Sequence, residues 1–421
     1  MTEATLEPAT PLLPGHAPTS KVERIVSIDV LRGFALLGIL MMNIQSFGLI
    51  DAKYLNPTAQ GELSGLSYAC WWFGYVFFDS KFMAIFSMLF GAGTILMWQR
   101  AKASGRKSTG LHYRRMGWLL LIGLAHAHLL WHGDILVLYA MTGMGVYWLC
   151  GLKPKWLISI GILLLAIGSG MSFMAGFSLP YMQEAEVADI VKGWSPTAEQ
   201  ISESLAINRG GWLEQLPHRS QTSFQMETFV FLFLFVWRIS GLMLLGMALF
   251  KLNVLNGGRS NQFYVTGAGV GLTGGLALSI AGILQLESHQ WAIEYAFFFG
   301  SQYNYWGSVL VCFAYICLVM LACKNGWADW LSKPLAAVGQ MALTNYLSHT
   351  LICTTIFYGH GLGWFGYLDR IQLVGIVVAI WILQLLISPV WLKHFRFGPF
   401  EWIWRSLSYW KVQPLMRRDG N

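Results

Sequence analysis

Two stretches place chemistry-bearing side chains inside apolar sequence. The first is "SIDVLRGFALLGILMMNIQSFG", Ser27 to Gly48, with Asp29 and Arg32 at its start and Asn43 near its end. Arg32 and Asn43 are 11 residues apart. On a helix that spacing returns to within about 20° of the same direction and rises about 16 Å. An acid, a base and an amide therefore share one stripe. The second stretch repeats the spacing, with Arg115 followed 11 residues later by His126. A neutral imidazole in a low-dielectric site can accept a proton near neutral pH, so His126 is the candidate base. "GLAHAHLLWHGDIL" then supplies His128, His132 and Asp134. His128 and His132 are spaced to share a metal with Asp134, but no further ligand is evident, and no metal site is expected. Asp134 also suits the start of the next helix, where negative charge is favoured.

Each of these residues has a structural reading beside the chemical one. Asp29 and Arg32 can anchor a helix end as an ion pair, and Asn43 can join helices by hydrogen bonding. His126 can be a hydrogen-bonded packing residue. Four more polar groups interrupt apolar sequence. Lys81 follows "DS" in "DSKFMAIF", and Arg238 sits in "FVWRISG" and needs a partner anion from the protein or a ligand. Asn345 and His349 in "TNYLSH" lie four apart and face one way on a helix. Ionisable groups at such depth cost roughly 2.5–3.5 kcal/mol to insert, so they turn inward, toward either an internal partner or a ligand. No Walker loop, zincin helix or GxSxG elbow is present. The glycine-rich run Gly267–Gly275 lies in an apolar span and reads as close helix packing.

The elements that must position these groups are membrane helices. Of 421 residues, 55% are hydrophobic and 12% charged, and the mean hydropathy is +0.50. A soluble chain carries about 25% charged residues. Apolar blocks of bilayer length recur. The expected fold is an all-α polytopic bundle of about ten transmembrane helices. They run near 28–50, 68–99, 113–132, 135–151, 156–177, 227–251, 263–284, 305–323, 334–358 and 371–393. The segment 68–99 is too long for one straight span and is expected to be broken near Asp79–Lys81.

Charge orients this bundle. The loop Arg100–Arg115 holds six bases and no acid, and the other loops on that side are basic too. Both termini are then cytoplasmic. The long loop 178–226 falls outside and is acidic. Residues 1–24 read as a polar, Pro-rich cytoplasmic tail without the pattern of a signal peptide. The transmembrane bundle covers 25–393. Residues 394–421 hold an amphipathic, Trp- and Arg-rich helix suited to the inner surface, then a tail. The net charge of +7 is scattered over short loops, which does not suggest nucleic acid. The partner this composition calls for is the lipid bilayer. Homo-oligomer formation stays open.

Together these motifs resemble the YeiB-like family of bacterial inner-membrane proteins. The resemblance runs through "YLNP" (Tyr54–Pro57), "KFMAIFSMLFGAG" (Lys81–Gly93), "GLAHAHLLWHGDILVLYA", "VGQMALTNYLSHTLICTTIFY" and "HFRFGPFEWIWR". The first helix is also similar to that of heparan-alpha-glucosaminide N-acetyltransferase and related membrane acyltransferases, which share the D-x-x-R-G start and the asparagine matched by Asn43. That similarity implies movement of an acyl group from cytoplasmic acyl-CoA to an acceptor on the far side. Acyl-CoA is then a co-substrate, and no tightly bound cofactor is expected. In the acetyltransferase a catalytic histidine follows the asparagine, whereas 44–60 contains none here. His126 is the substitute base, Asn43 orients the carbonyl or stabilises its oxyanion, and Asp134 orients His126 or the acceptor. Arg32, held by Asp29, with Arg115 and Lys81, serves the CoA phosphates or the inner mouth. A rival reading is a transporter of a small anionic solute, with Arg238, Lys81 and His349 along its path. A third is a non-catalytic envelope scaffold that uses 178–226 as its contact surface.

Overall fold

The computed structural model describes residues 25–61 and 63–417. The tail expected over 1–24 lies outside the described residues. Within them the chain is helical, with one isolated bridge between Phe395 and Met416. The helices are α1 (Val26–Gly48), α2 (Asp51–Leu55), α3 (Gly65–Phe77), α4 (Lys81–Ala103), α5 (Thr109–Leu129) and α6 (Leu136–Val146). Next come α7 (Pro154–Ser178), α8 (Glu184–Trp194), α9 (Ala198–Arg209), α10 (Trp212–Gln225), α11 (Val236–Lys251) and α12 (Asn261–Ser288). The last six are α13 (Ile293–Tyr295), α14 (Ser301–Asn325), α15 (Asp329–Gln340), α16 (Ala342–Phe357), α17 (Arg370–His394) and α18 (Pro399–Tyr409). Two wide, π-type segments, Met226–Phe235 and Ala296–Gly300, lead into α11 and α14.

Seven helical runs are long and apolar enough to cross a bilayer among the described residues: Val26–Gly48, Gly65–Ala103, Pro154–Tyr181, Trp212–Lys251, Asn261–Ser288, Ile293–Asn325 and Arg370–His394. The polytopic all-α bundle is as expected, but the count by length and composition is seven, not about ten. The other three expected spans form weaker elements. α5 carries Arg114, Arg115 and three histidines. α6 is only 11 residues long. The 334–358 stretch is split at Met341 into α15 and α16.

The run 65–103 is broken where sequence suggested. Ser80 adopts a left-handed conformation, φ 64°, between α3 and α4. A non-glycine residue there is uncommon and marks a site held by its surroundings. α3 meets the far end of α12, since the Tyr68 hydroxyl donates to Glu287 at 2.6 Å and Trp71 packs edge-on against Trp291.

The core lies where α4 crosses α11. Ile85, Met88, Leu89, Met243, Leu244 and Met247 are all at most 3% exposed. Glycines let the backbones touch. A Cβ on Gly246 would stand 1.9 Å from the Met88 carbonyl oxygen, and one on Gly91 would stand 2.0 Å from that of Met243. Small residues at helix crossings are how membrane bundles gain packing where lipid gives no hydrophobic drive. The run Gly267–Gly275 does the same work, with Gly271 and Gly275 set against the carbonyls of Leu310 and Gly307. At the end of the bundle that carries the basic loops, α18 closes the base, its Trp404 indole donating to the Arg115 carbonyl at 2.9 Å. At the opposite end α8 to α10 fold over the bundle. The Trp194 indole donates to the Trp291 carbonyl at 2.9 Å, and that of Trp212 to Leu129 at 2.7 Å.

Candidate functional site

Two cavities lie along the polar stripe of α1. The larger, about 460 Å³, reaches in from the end opposite the basic loops, and Asn43, Asp79, Asp134, Arg238, Asn304 and Tyr305 stand on its wall. Its size suits a small molecule. The smaller, about 220 Å³, lies toward the basic end, where Arg32, His112, Arg115, Glu401 and Arg405 line it. Ile39, Ile135, Tyr139 and Tyr346 belong to both walls, so the two spaces share a partition there. Tyr139 is pinned by its hydroxyl to Ser87 at 3.0 Å and the Met83 carbonyl at 3.2 Å. Tyr346 accepts from the Ile135 amide at 3.3 Å.

Local backbone irregularity aims the polar groups of the larger cavity. The α3–α4 break turns Asp79 inward. Arg238 and Asn304 each follow a π-type segment within a few residues. Such a segment inserts an extra residue per turn and rotates everything after it, a device frequent at functional sites.

Asp79, Lys81 and Asn304 form one buried unit. Asn304 donates through Nδ2 to Asp79 at 2.7 Å and accepts through Oδ1 from the Lys81 ammonium at 2.5 Å. Lys81 also donates to the Tyr75 carbonyl at 2.6 Å, and Asp79 accepts from the Tyr54 hydroxyl at 3.4 Å. Arg238 stands beside them, only 5% exposed. It donates to the Tyr305 carbonyl at 3.1 Å and to Ser308 Oγ at 2.7 Å, and lies over the Tyr305 ring at 4.2 Å.

On another part of the wall, Asp134 accepts from the Leu136 amide at 2.8 and 2.9 Å. This places it one residue before the N-cap of α6, where its negative charge is favoured. His126 Nδ1 is 3.5 Å from Asp134 Oδ2, and His126 Nε2 is 2.8 Å from Thr350 Oγ1. Asn43 is half-buried, and its amide hydrogen-bonds to no described residue.

In the smaller cavity Arg32 bonds Asp29 at 2.8 Å, and the Arg115 guanidinium lies 4.6 Å over the Trp404 ring. Glu401 turns onto the start of α16, accepting from the amides of Leu343 at 2.5 Å and Thr344 at 3.0 Å. Burial pushes the Glu401 carboxyl above its usual value, against those hydrogen bonds, which favour its charged form.

Five expected site residues line neither cavity. His126 does not reach either cavity wall, because Asp134 and Thr350 occupy its two ring nitrogens' directions. Lys81 is not at the inner mouth. It is fully enclosed behind Asn304, as the break sets it at mid-bundle. Asn345 and His349 do share a face, but that face meets α17. Asn345 donates to Ser388 at 3.1 Å, and His349 Nε2 lies 2.9 Å from Gln384 Oε1. They tie two helices together and stand on neither of these cavity walls. Asp29 lies behind Arg32 and lines neither. Arg32, Asn43, Arg115, Asp134 and Arg238 all do face a cavity. Sequence reading passed over Asp79, Asn304 and Tyr305. The signal for two of them was "SQYNYW", a polar run opening an apolar span.

These features define a polytopic α-helical membrane protein with two largely apolar cavities, each carrying a few polar groups, that share part of a wall inside the bundle. The chain belongs to the YeiB-like family. It is 31% identical over 406 residues, 95% of this chain and 100% of the relative, to "Uncharacterized protein YeiB" of Escherichia coli (strain K12). It is 29% identical over 425 residues, 95% of this chain and 98% of the relative, to "Uncharacterized protein YxaH" of Bacillus subtilis (strain 168). Residues 249–411, from the end of α11 through α18, match the family "Protein of unknown function (DUF418)".

Proposed function

We propose that this protein is a membrane acyltransferase. It takes an acyl group from acyl-CoA on the side of the basic loops, the cytoplasmic face of the inner membrane, and passes it to an acceptor in the larger cavity. The observation that carries this reading is the pair of cavities with a shared wall. One is lined by Arg32, Arg115 and Arg405, suited to CoA phosphates, and the other by an unengaged amide and a carboxylate.

In this reaction the acceptor's oxygen or nitrogen forms a bond to the thioester carbonyl carbon and the C–S bond breaks. Asp134 takes the acceptor's proton, and the departing CoA thiolate receives it. Asn43 donates to the carbonyl oxygen as it gains charge. His126, behind Asp134, orients that carboxylate.

The test is thiol release from acetyl-CoA and a long-chain acyl-CoA by purified protein in nanodiscs. Release is expected with one of them, and its loss in Asp134→Asn. Absence of both binding and release would overturn the assignment. The buried Arg238 beside Asp79 and Lys81 favours a second reading, transport of an anionic solute. Flux into proteoliposomes lacking acyl-CoA would select it.

A further inference from the structure

The larger cavity has on its wall a guanidinium whose hydrogen-bonding capacity the protein leaves partly unused. Asp79 and Lys81 balance each other through Asn304. Arg238 stands beside the same carboxylate, so Asp79 faces two cations. Arg238 uses two of its five N–H donors, on Tyr305 O and Ser308 Oγ, and forms no ion pair with a described residue. Asp134, the other acid on the wall, is engaged by the Leu136 amide and His126. A buried guanidinium that shares one carboxylate with an ammonium is only partly compensated, and with donors to spare it can take up an anion. The second observation is position. Arg238 is 5% exposed yet on the cavity wall, held flat by the Tyr305 ring with donors to spare. Further out, the wall becomes aromatic with Trp71, Tyr75, Trp194, Trp291 and Phe297.

We propose that Arg238 is the anchor of an oxyanion subsite, which holds a carboxylate or phosphate on the small molecule that occupies the larger cavity, while the aromatic wall packs its ring or apolar body. The planar fork of arginine matches either oxyanion through two parallel hydrogen bonds. This rests on the larger cavity being the acceptor's chamber, and it makes the acceptor an anion.

The probes are benzoate, phenyl phosphate and neutral benzamide, titrated calorimetrically onto the purified full chain at matched ionic strength. Benzoate or phenyl phosphate is expected to bind and benzamide not to, and the tighter of the two anions names the group. Arg238→Gln leaves Asp79 and Lys81 in balance and should weaken that anion by about tenfold or more. Arg115→Gln, in the smaller cavity, should leave it unchanged. If Arg238→Gln is not recovered folded, Arg238→Lys keeps the charge but not the fork, and affinity should fall about fivefold. Equal binding of benzamide, no binding of either anion, or affinity undiminished in the Arg238 variants would overturn the subsite. Thiol release from acyl-CoA is measured separately, so loss of the subsite and loss of the transferase assignment are told apart.

Discussion

Asp134 stands between His126 and the larger cavity. Its Oδ2 is 3.5 Å from His126 Nδ1, and it is the carboxylate, not the imidazole, that reaches the wall. The two should therefore fail differently. Asp134→Asn should lower acyl transfer by about 100-fold or more, the range for a lost general base. His126→Gln should cost about tenfold in kcat with KM unchanged, since it acts through its neighbour. Steady-state kinetics of both variants, at wild-type levels of membrane insertion, check this. Equal losses would place the imidazole at the reacting atoms.

Lys81 and Asp79 are a pair at second hand, joined through Asn304. Lys81→Met should destabilise the protein by about 3–5 kcal/mol, because it strips the counter-charge from a buried carboxylate. The double variant Asp79→Asn with Lys81→Met should recover most of that loss. Thermal unfolding in detergent measures both, and a double variant no better than the single would break the pairing argument.

The α4–α11 crossing leaves no room for a side chain at Gly246. Gly246→Leu should prevent recovery of monodisperse protein, since the Met88 carbonyl is backbone and cannot swing aside. Gly145→Ala meets nothing within 4 Å and should be neutral. Size-exclusion profiles of the two variants decide it.

Hydropathy made the bundle legible, and charge spacing made the α1 stripe legible. Asp29, Arg32 and Asn43 recur on a helical period, and Arg32 and Asn43 do face the two cavities. The α3–α4 break was readable because 68–99 exceeds one bilayer crossing and holds "DSK". Its consequence was not readable, since partners such as Asn304 lie more than 200 residues away. The π-type segments were hidden for another reason. A period of 3.6 cannot reveal where a helix widens, so the direction of Arg238 and Asn304 was out of reach. Asn345 and His349 show the converse error. An i,i+4 polar pair names a face but not what the face meets, and here it meets Gln384 and Ser388.

The shared wall of Ile39, Ile135, Tyr139 and Tyr346 also has an electrical meaning. If solvent fills both cavities, the membrane potential falls mainly across the partition these side chains form instead of the full bilayer. A unit charge moved past them would do work of about 2.3 kcal/mol per 100 mV. An acyl group is neutral and would cross without feeling the voltage, whereas an anionic solute would be driven or held back by it.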